Sequence, residues 1–161
     1  VLEISPIATP LKGIAMSLVL TQEIKDLVNN GIASGNVLVL AVVTPENKPV
    51  LSFRGSTQVY SDDQLGLWVR NTSGGTIEAI RKNPNVAMMY RSATTPLLQF
   101  QGRARIATDA VERNRVFENS PEQERKSDPE RKGNAVIIDL DKVEGVLRFG
   151  ADGPVFARLA R

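Results

Sequence analysis

Trp68-Val69-Arg70-Asn71-Thr72-Ser73-Gly74-Gly75-Thr76-Ile77-Glu78-Ala79-Ile80-Arg81-Lys82-Asn83-Pro84 is the stretch on which the reading of this chain turns. It reads as the end of a strand, a Gly-Gly loop, a short helix over roughly Thr76–Lys82, and a proline stop. Ile77 and Ile80 give the helix one apolar edge. Pro84 cannot continue a helix and biases Asn83 away from helical geometry. A loop that enters a helix in this way leaves backbone N–H groups free. Those donors, together with the helix dipole, favour an anion, typically a phosphate. A tight strand-to-helix turn without a ligand also suits Gly74, Gly75 and Thr76, because positive-φ positions favour glycine in either case.

The residues before this stretch predict strands. Asn36–Val43 is a continuous β-branched and apolar run, which suggests a strand buried on both faces. Thr44–Pro49 is a turn by composition. A second strand is expected from about Val50 to Tyr60, a turn at Ser61–Gln64, and a third strand over Leu65–Arg70, making an antiparallel meander. Further upstream, Thr21 suits an N-cap, and Ile24, Leu27, Val28 and Ile32 follow at helical spacing until Gly31 and Gly35. Residues 1–20 read as an extended arm with a short strand near Ile14–Leu20.

Downstream, Val86–Arg91 is expected as a strand. Leu98, Phe100, Gly102, Ala104 and Ile106 alternate with Gln99, Gln101, Arg103 and Arg105, which is the period of a half-buried strand. Asp109 with Glu112 resembles a capping box that opens a helix carrying Val111 and Phe117. Residues 118–133 are dominated by charge and contain Pro121, Pro129 and Gly133, so an exposed, charged loop or loose helix is expected. Ala135–Leu140 and Val143–Phe149 read as two last strands, followed by a turn and a short tail. The sum is one mainly β domain spanning 1–161, with six or seven strands and small helices. Closure into a barrel would remove exposed edges.

Composition restricts the chemistry. The chain has no Cys and no His. Disulfides, thiolate or imidazole metal sites, cysteine nucleophiles and Ser–His triads are therefore excluded. An enzyme of this composition works with carboxylates, Lys, Tyr, Ser or Arg, or lets a cofactor carry the chemistry. The formal charge is +2 with basic and acidic residues interspersed. That balance, and an aromatic content of 5%, argue against a nucleic-acid partner. Pro6 and Pro10 interrupt the apolar N-terminal stretch, which fits neither a signal peptide nor a membrane span. A cytoplasmic protein is the expectation.

The order of these elements resembles the pyridoxamine 5′-phosphate oxidase-like flavin-binding split-barrel family. The resemblance is carried by Asn47-Lys48-Pro49-Val50-Leu51-Ser52-Phe53-Arg54, by Leu65-Gly66-Leu67-Trp68-Val69-Arg70-Asn71, and by Ile80–Tyr90 with its Asn83-Pro84. Gln101-Gly102-Arg103-Ala104 fits the next strand. It covers roughly residues 25–148 and implies a six-stranded antiparallel Greek-key split barrel, a homodimer, and FMN in a ligand groove at the subunit interface. It implies that Ser52, Phe53, Arg54, Gly55 and Ser56 face the ring and ribityl chain. Trp68, Val69, Arg70 and Asn71 flank them, and Gly74, Gly75 and Thr76 meet the phosphate. Many members carry an Arg-Lys or Lys pair where Gly75 and Thr76 stand here. Backbone donors, the Thr76 hydroxyl and Arg54 or Arg70 are then expected to hold the phosphate.

Other readings stand beside these. Arg54 could pair with Asp62 or Glu78, and Trp68 could be a core residue. Gln99 and Gln101 could meet the flavin edge, a partner subunit or solvent. The functional expectation is an FMN-binding oxidoreductase acting on a small-molecule redox substrate. The alternative is a non-catalytic carrier or sensor for a flavin, deazaflavin or haem-type ligand on the same barrel. True pyridoxamine 5′-phosphate oxidation is not expected, since no C-terminal substrate motif with His is present.

Overall fold

Thr21 opens the first helix as its pattern requires: its hydroxyl accepts a hydrogen bond from the Ile24 N–H at 3.3 Å. In the computed structural model, which describes residues 18–161, helix α1 spans Gln22–Asn29 and buries Ile24 and Val28. Of the strand expected near Ile14–Leu20, residues 14–17 lie outside the described residues with the rest of the N-terminal arm, and Leu18–Leu20 are described without strand structure.

The chain then forms eight strands and three more helices. They are β1 (Leu38–Val43), β2 (Pro49–Arg54), β3 (Gln58–Ser61), β4 (Gln64–Val69), α2 (Gly75–Lys82), β5 (Asn85–Arg91), β6 (Leu97–Ile106), α3 (Ala110–Asn119), α4 (Glu122–Lys126), β7 (Asn134–Gly150) and β8 (Gly153–Ala160). One antiparallel sheet holds all the strands, in the order β2-β1-β5-β6-β7-β4-β3, with β8 paired to β7. Its two end strands, β2 and β3, are consecutive in the chain. Only residues 55–57 separate them, so the sheet must curl until its ends meet.

Several expectations need correction. The second strand does not run from Val50 to Tyr60. It breaks at Gly55-Ser56-Thr57, where the Thr57 N–H and hydroxyl both donate to the Arg54 carbonyl. The two halves join opposite ends of the sheet, so no three-stranded meander forms. The last two expected strands are one strand, β7. Asp141 is an extra residue beside the Gln101–Gly102 step, a β-bulge that the sequence displays as a charged break. The expected tail is β8, whose Ala157 is buried. Among the described residues there are therefore eight strands, rather than the six or seven expected. β1 is also not buried on both faces: Leu38, Leu40 and Val42 are buried, while Val39, Ala41 and Val43 are partly open.

Alternation places the core. Leu65, Leu67 and Val69 of β4 and Val136, Ile138 and Leu140 of β7 point into the main core, together with Leu40, Met88, Leu98 and Phe100. The opposite face of β4 and β7 carries Trp68, Ala135 and Ile137, and α3 covers it with Val116 and Phe117. Among the described residues, the outer face of β2, β1, β5 and β6 has no such cover. There Phe53 is 76% exposed, Leu51 70% and Met89 45%.

Segment 118–133 is held rather than loose. The Asp128 carboxylate accepts from Trp68 Nε1 at 2.9 Å, from the Gly133 N–H at 2.8 Å and from the Lys132 N–H at 3.1 Å. Gly133 runs so close over the indole that a Cβ there would lie 2.5 Å from Trp68 Nε1. Arg113 donates to the Gly133 and Arg131 carbonyls. Burial works against the Asp128 charge. The bonds from Gly133, Trp68 and Lys132 and the nearby Arg70 more than offset it, and the carboxyl sits below its ordinary value of 3.8.

A prediction follows from this clasp. Asp128→Asn should lower unfolding stability at pH 7 by about 1–3 kcal/mol, because buried donors lose a charged acceptor. A depressed folded-state pKa stabilises the fold above the unfolded value of about 3.8 and ceases to do so as pH falls through the folded one. The difference between wild type and variant in urea-denaturation midpoint should therefore hold at pH 5 and shrink below about pH 3.8. An equal gap at pH 7 and at pH 2 would contradict it.

Candidate functional site

The break at residues 55–57 builds the site. Ser56 is buried, its hydroxyl donates to the Trp68 carbonyl at 3.0 Å, and it accepts from the Trp68 N–H at 2.9 Å. One side chain thus satisfies both backbone groups of Trp68 and fastens the turn to β4. The end of β2 and the end of β4 are brought together, and with them Arg54, Arg70 and Asn71. A cleft of about 330 Å³ lies between them, lined by Phe53, Arg54, Gly55, Ser56, Trp68, Arg70, Asn71 and Glu124.

Register decides what each β2 residue faces. Ser52 and Arg54 stand opposite Leu40 and Leu38 and share the inner face. Leu51 and Phe53 point outward. Arg54 therefore reaches across the mouth of the barrel, and its Nη2 donates to the Thr76 hydroxyl at the start of α2. Its Nε is buried and has no hydrogen-bond partner among the described residues. Burial, together with the neighbouring Arg70, pulls the guanidinium below its usual range, against the pull of Glu124. The ion pair to Asp62 does not form, because Asp62 pairs with Lys25 at 2.6 Å. Thr76, not Glu78, is the Arg54 partner.

The loop before α2 keeps its donors open. Gly74 and Gly75 have φ of 73° and 56°, a conformation that favours glycine. The helix begins at Gly75, one residue earlier than expected, and no side chain caps it. A Cβ on Gly75 would meet nothing within 4 Å. Open space, uncapped N–H groups, a hydroxyl and a guanidinium with an unpartnered donor form a set suited to a phosphate oxygen. The residues present therefore fit the phosphate of FMN without the usual loop cations. Glu78 also stands near, its carboxylate 3.9 Å from where a Gly74 Cβ would be.

The structure separates the other expected residues. Trp68 is 4% exposed; its ring packs edge-on against Phe117, with centroids 5.0 Å apart, and its N–H is held by Asp128. Trp68 thus lines the cleft while its ring belongs to the second core. Val69 lies in the main core. Gln99 and Gln101 are on β6, three strand spacings from β2, or about 14 Å. Gln99 continues a cross-strand row from Phe53 through Val39 and Met89. Gln101 continues the row from Leu51 through Ala41 and Ala87. Both glutamines belong to the bare outer face and not to the Arg54 cleft of the same chain. Phe53 joins the two regions, since it also borders an apolar shelf of about 430 Å³ with Val37, Val39, Met89 and Arg91.

Glu124 is the cleft residue that the sequence did not suggest. It lies in the charged segment read as a solvated loop, but α4 brings it against Gly55. A Cβ on Gly55 would fall 2.7 Å from Glu124 Oε1. The spacing of charges in 122–132 holds no signal for this, because Asp128 and Trp68 fix the segment from a distance of 60 residues.

The family model described as pyridoxamine 5′-phosphate oxidase matches residues 20–146. No curated protein matches the chain in sequence. Among solved structures, HupZ from Group A Streptococcus is 22% identical, with a TM-score of 0.60 over 78% of this chain and 93% of that one. General stress protein 26 from Bacillus anthracis is 23% identical, with a TM-score of 0.59 over 86% and 100%. An FMN-binding protein from Syntrophomonas wolfei is 10% identical, with a TM-score of 0.62 over 78% and 88%. At these identities the structures agree in fold, while the family model covers well over half the sequence, and the chain belongs to the pyridoxamine 5′-phosphate oxidase family.

Proposed function

We propose that this protein binds FMN and serves as a flavin-dependent oxidoreductase for a small-molecule substrate. The observation that carries the reading is the Arg54–Thr76 contact at the uncapped start of α2, with Arg54 Nε still free to donate. Beside this polar end lies the apolar shelf, and Phe53 borders both. A ligand with a phosphate tail and a flat, largely apolar body suits that pairing. The FMN-binding relative from Syntrophomonas wolfei has the same fold. Arg54, Thr76 and the first N–H groups of α2 would hold the phosphate, and Arg70 and Asn71 would border the chain. FMN, when bound, supplies the redox chemistry; the protein orients it and limits its contact with water.

The reading includes a homodimer. A monomer leaves Leu51, Phe53, Met89 and Leu97 exposed on one continuous sheet face. A second copy packed there would cover them and wall the shelf at Phe53. It would also bring Gln99 and Gln101 of either subunit to the interface.

Four measurements test this. The purified protein should show the visible bands of oxidised flavin, or acquire them with added FMN, and bleach with NAD(P)H. A bound flavin that no donor reduces favours the carrier or sensor reading, and a Soret band would replace flavin with haem. Arg54→Ala should weaken FMN binding by about tenfold to a hundredfold, the effect of a charged hydrogen bond. Arg54→Met should nevertheless melt no lower than wild type, because it removes a half-buried cation with an unpartnered donor. Finally, Phe53→Asp should convert a dimer into a monomer on sizing at micromolar concentration. A wild-type monomer under those conditions would remove the intersubunit groove.

A further inference from the structure

We propose that Glu124 is a selectivity residue of the Arg54–Arg70 cleft, accepting a hydrogen bond from a ligand hydroxyl or N–H and disfavouring bare multivalent anions. The proposal rests on the phosphate-site reading above and names the ligand class more narrowly: a phosphate monoester carried on a chain of hydrogen-bond donors.

The other glutamates of this segment have cationic partners. Glu118 pairs with Arg125 at 3.4 Å and with Arg131 at 2.5 Å, Glu122 pairs with Lys126 at 2.6 Å, and Glu130 pairs with Lys132. Glu124 is half-buried and, among the described residues, has neither an ion pair nor a side-chain hydrogen bond. It is held at the cleft by its backbone. The Glu124 N–H donates to the Pro121 carbonyl at 2.9 Å, and the Asp128 clasp fixes the following turn. Gly55 leaves the space that the carboxylate occupies. A half-buried carboxylate without a donor is costly, and a ligand donor offsets that cost.

Charge complementarity sets the ligand class. Arg54, Arg70 and Glu124 line one cleft. Two guanidiniums and one carboxylate suit a ligand with one anionic group and neutral donors beside it. A second phosphate would meet Glu124 as a like charge. Hydroxyls next to a phosphate monoester meet it as donors.

The test compares wild type with Glu124→Gln by calorimetric titration of riboflavin and, separately, of inorganic pyrophosphate. A thermal melt first confirms that the variant folds. Riboflavin should bind the variant about threefold to tenfold more weakly, as an acceptor charge is lost. Pyrophosphate should bind it about threefold to tenfold more tightly, as a like charge is removed. Gly55→Ala, which pushes the carboxylate out of its place, should reproduce the riboflavin loss. Equal riboflavin affinities for Glu124→Gln and a wild type that binds it overturn the proposal. If wild type binds no riboflavin, the FMN titration of the proposed function decides the flavin reading separately, and pyrophosphate still decides Glu124. Tighter binding by the variant then supports the proposal, and equal binding, or binding by neither protein, overturns it.

Discussion

The buried Ser56 hydroxyl, bonded to both backbone groups of Trp68, is the contact on which the arrangement depends. A sheet whose end strands are neighbours in sequence must be held shut where no ladder runs between them. Ser56 does this with one side chain that stands in for a missing pair of backbone bonds. The turn it fixes puts Arg54 on the inner face at the barrel mouth and Phe53 on the outer face. The polar cleft and the apolar shelf meet at that corner. A barrel open at one seam offers a site that a fully hydrogen-bonded cylinder would not.

The two faces of the sheet are treated differently. Helix α3 covers the outer face of β4 and β7, so Trp68, Ala135 and Ile137 find a second core. Among the described residues no helix covers the outer face of β2, β1, β5 and β6, where Leu51, Phe53, Met89 and Leu97 stay exposed. In the homodimer proposed above, a second copy would address both problems at once, exposed apolar area and the open wall of the proposed ligand groove. The same economy explains α4. Clasped by Asp128, a charged segment with little core of its own still carries Glu124 to a defined place.

Helices and strands with a regular period were legible in the sequence. The Thr21 and Asp109 caps, the alternation over 98–106 and the proline stop after Lys82 are local signals, and the structure follows them. Errors arose where tertiary contacts override local composition. Residues 50–60 look like one strand, because nothing within them announces that Ser56 will bond to Trp68. Asp141-Lys142 looks like a break between two strands, because a bulge places charge inside a strand. Residues 118–133 are mostly exposed, as their charge suggests, but look loose because their anchor is an indole N–H sixty residues away.

The sequence by itself determined the element types, the absence of histidine and cysteine chemistry, and the likeness to a flavin-binding barrel. Periodicity, capping and composition are properties of neighbouring residues and can be read along the chain. The tertiary structure decided that Arg54 meets Thr76 rather than Asp62 or Glu78, that the Trp68 ring is core, that the two glutamines lie on the bare face, and that Glu124 enters the cleft. These outcomes depend on strand order and register, which bring together residues far apart in sequence and leave no trace in local pattern.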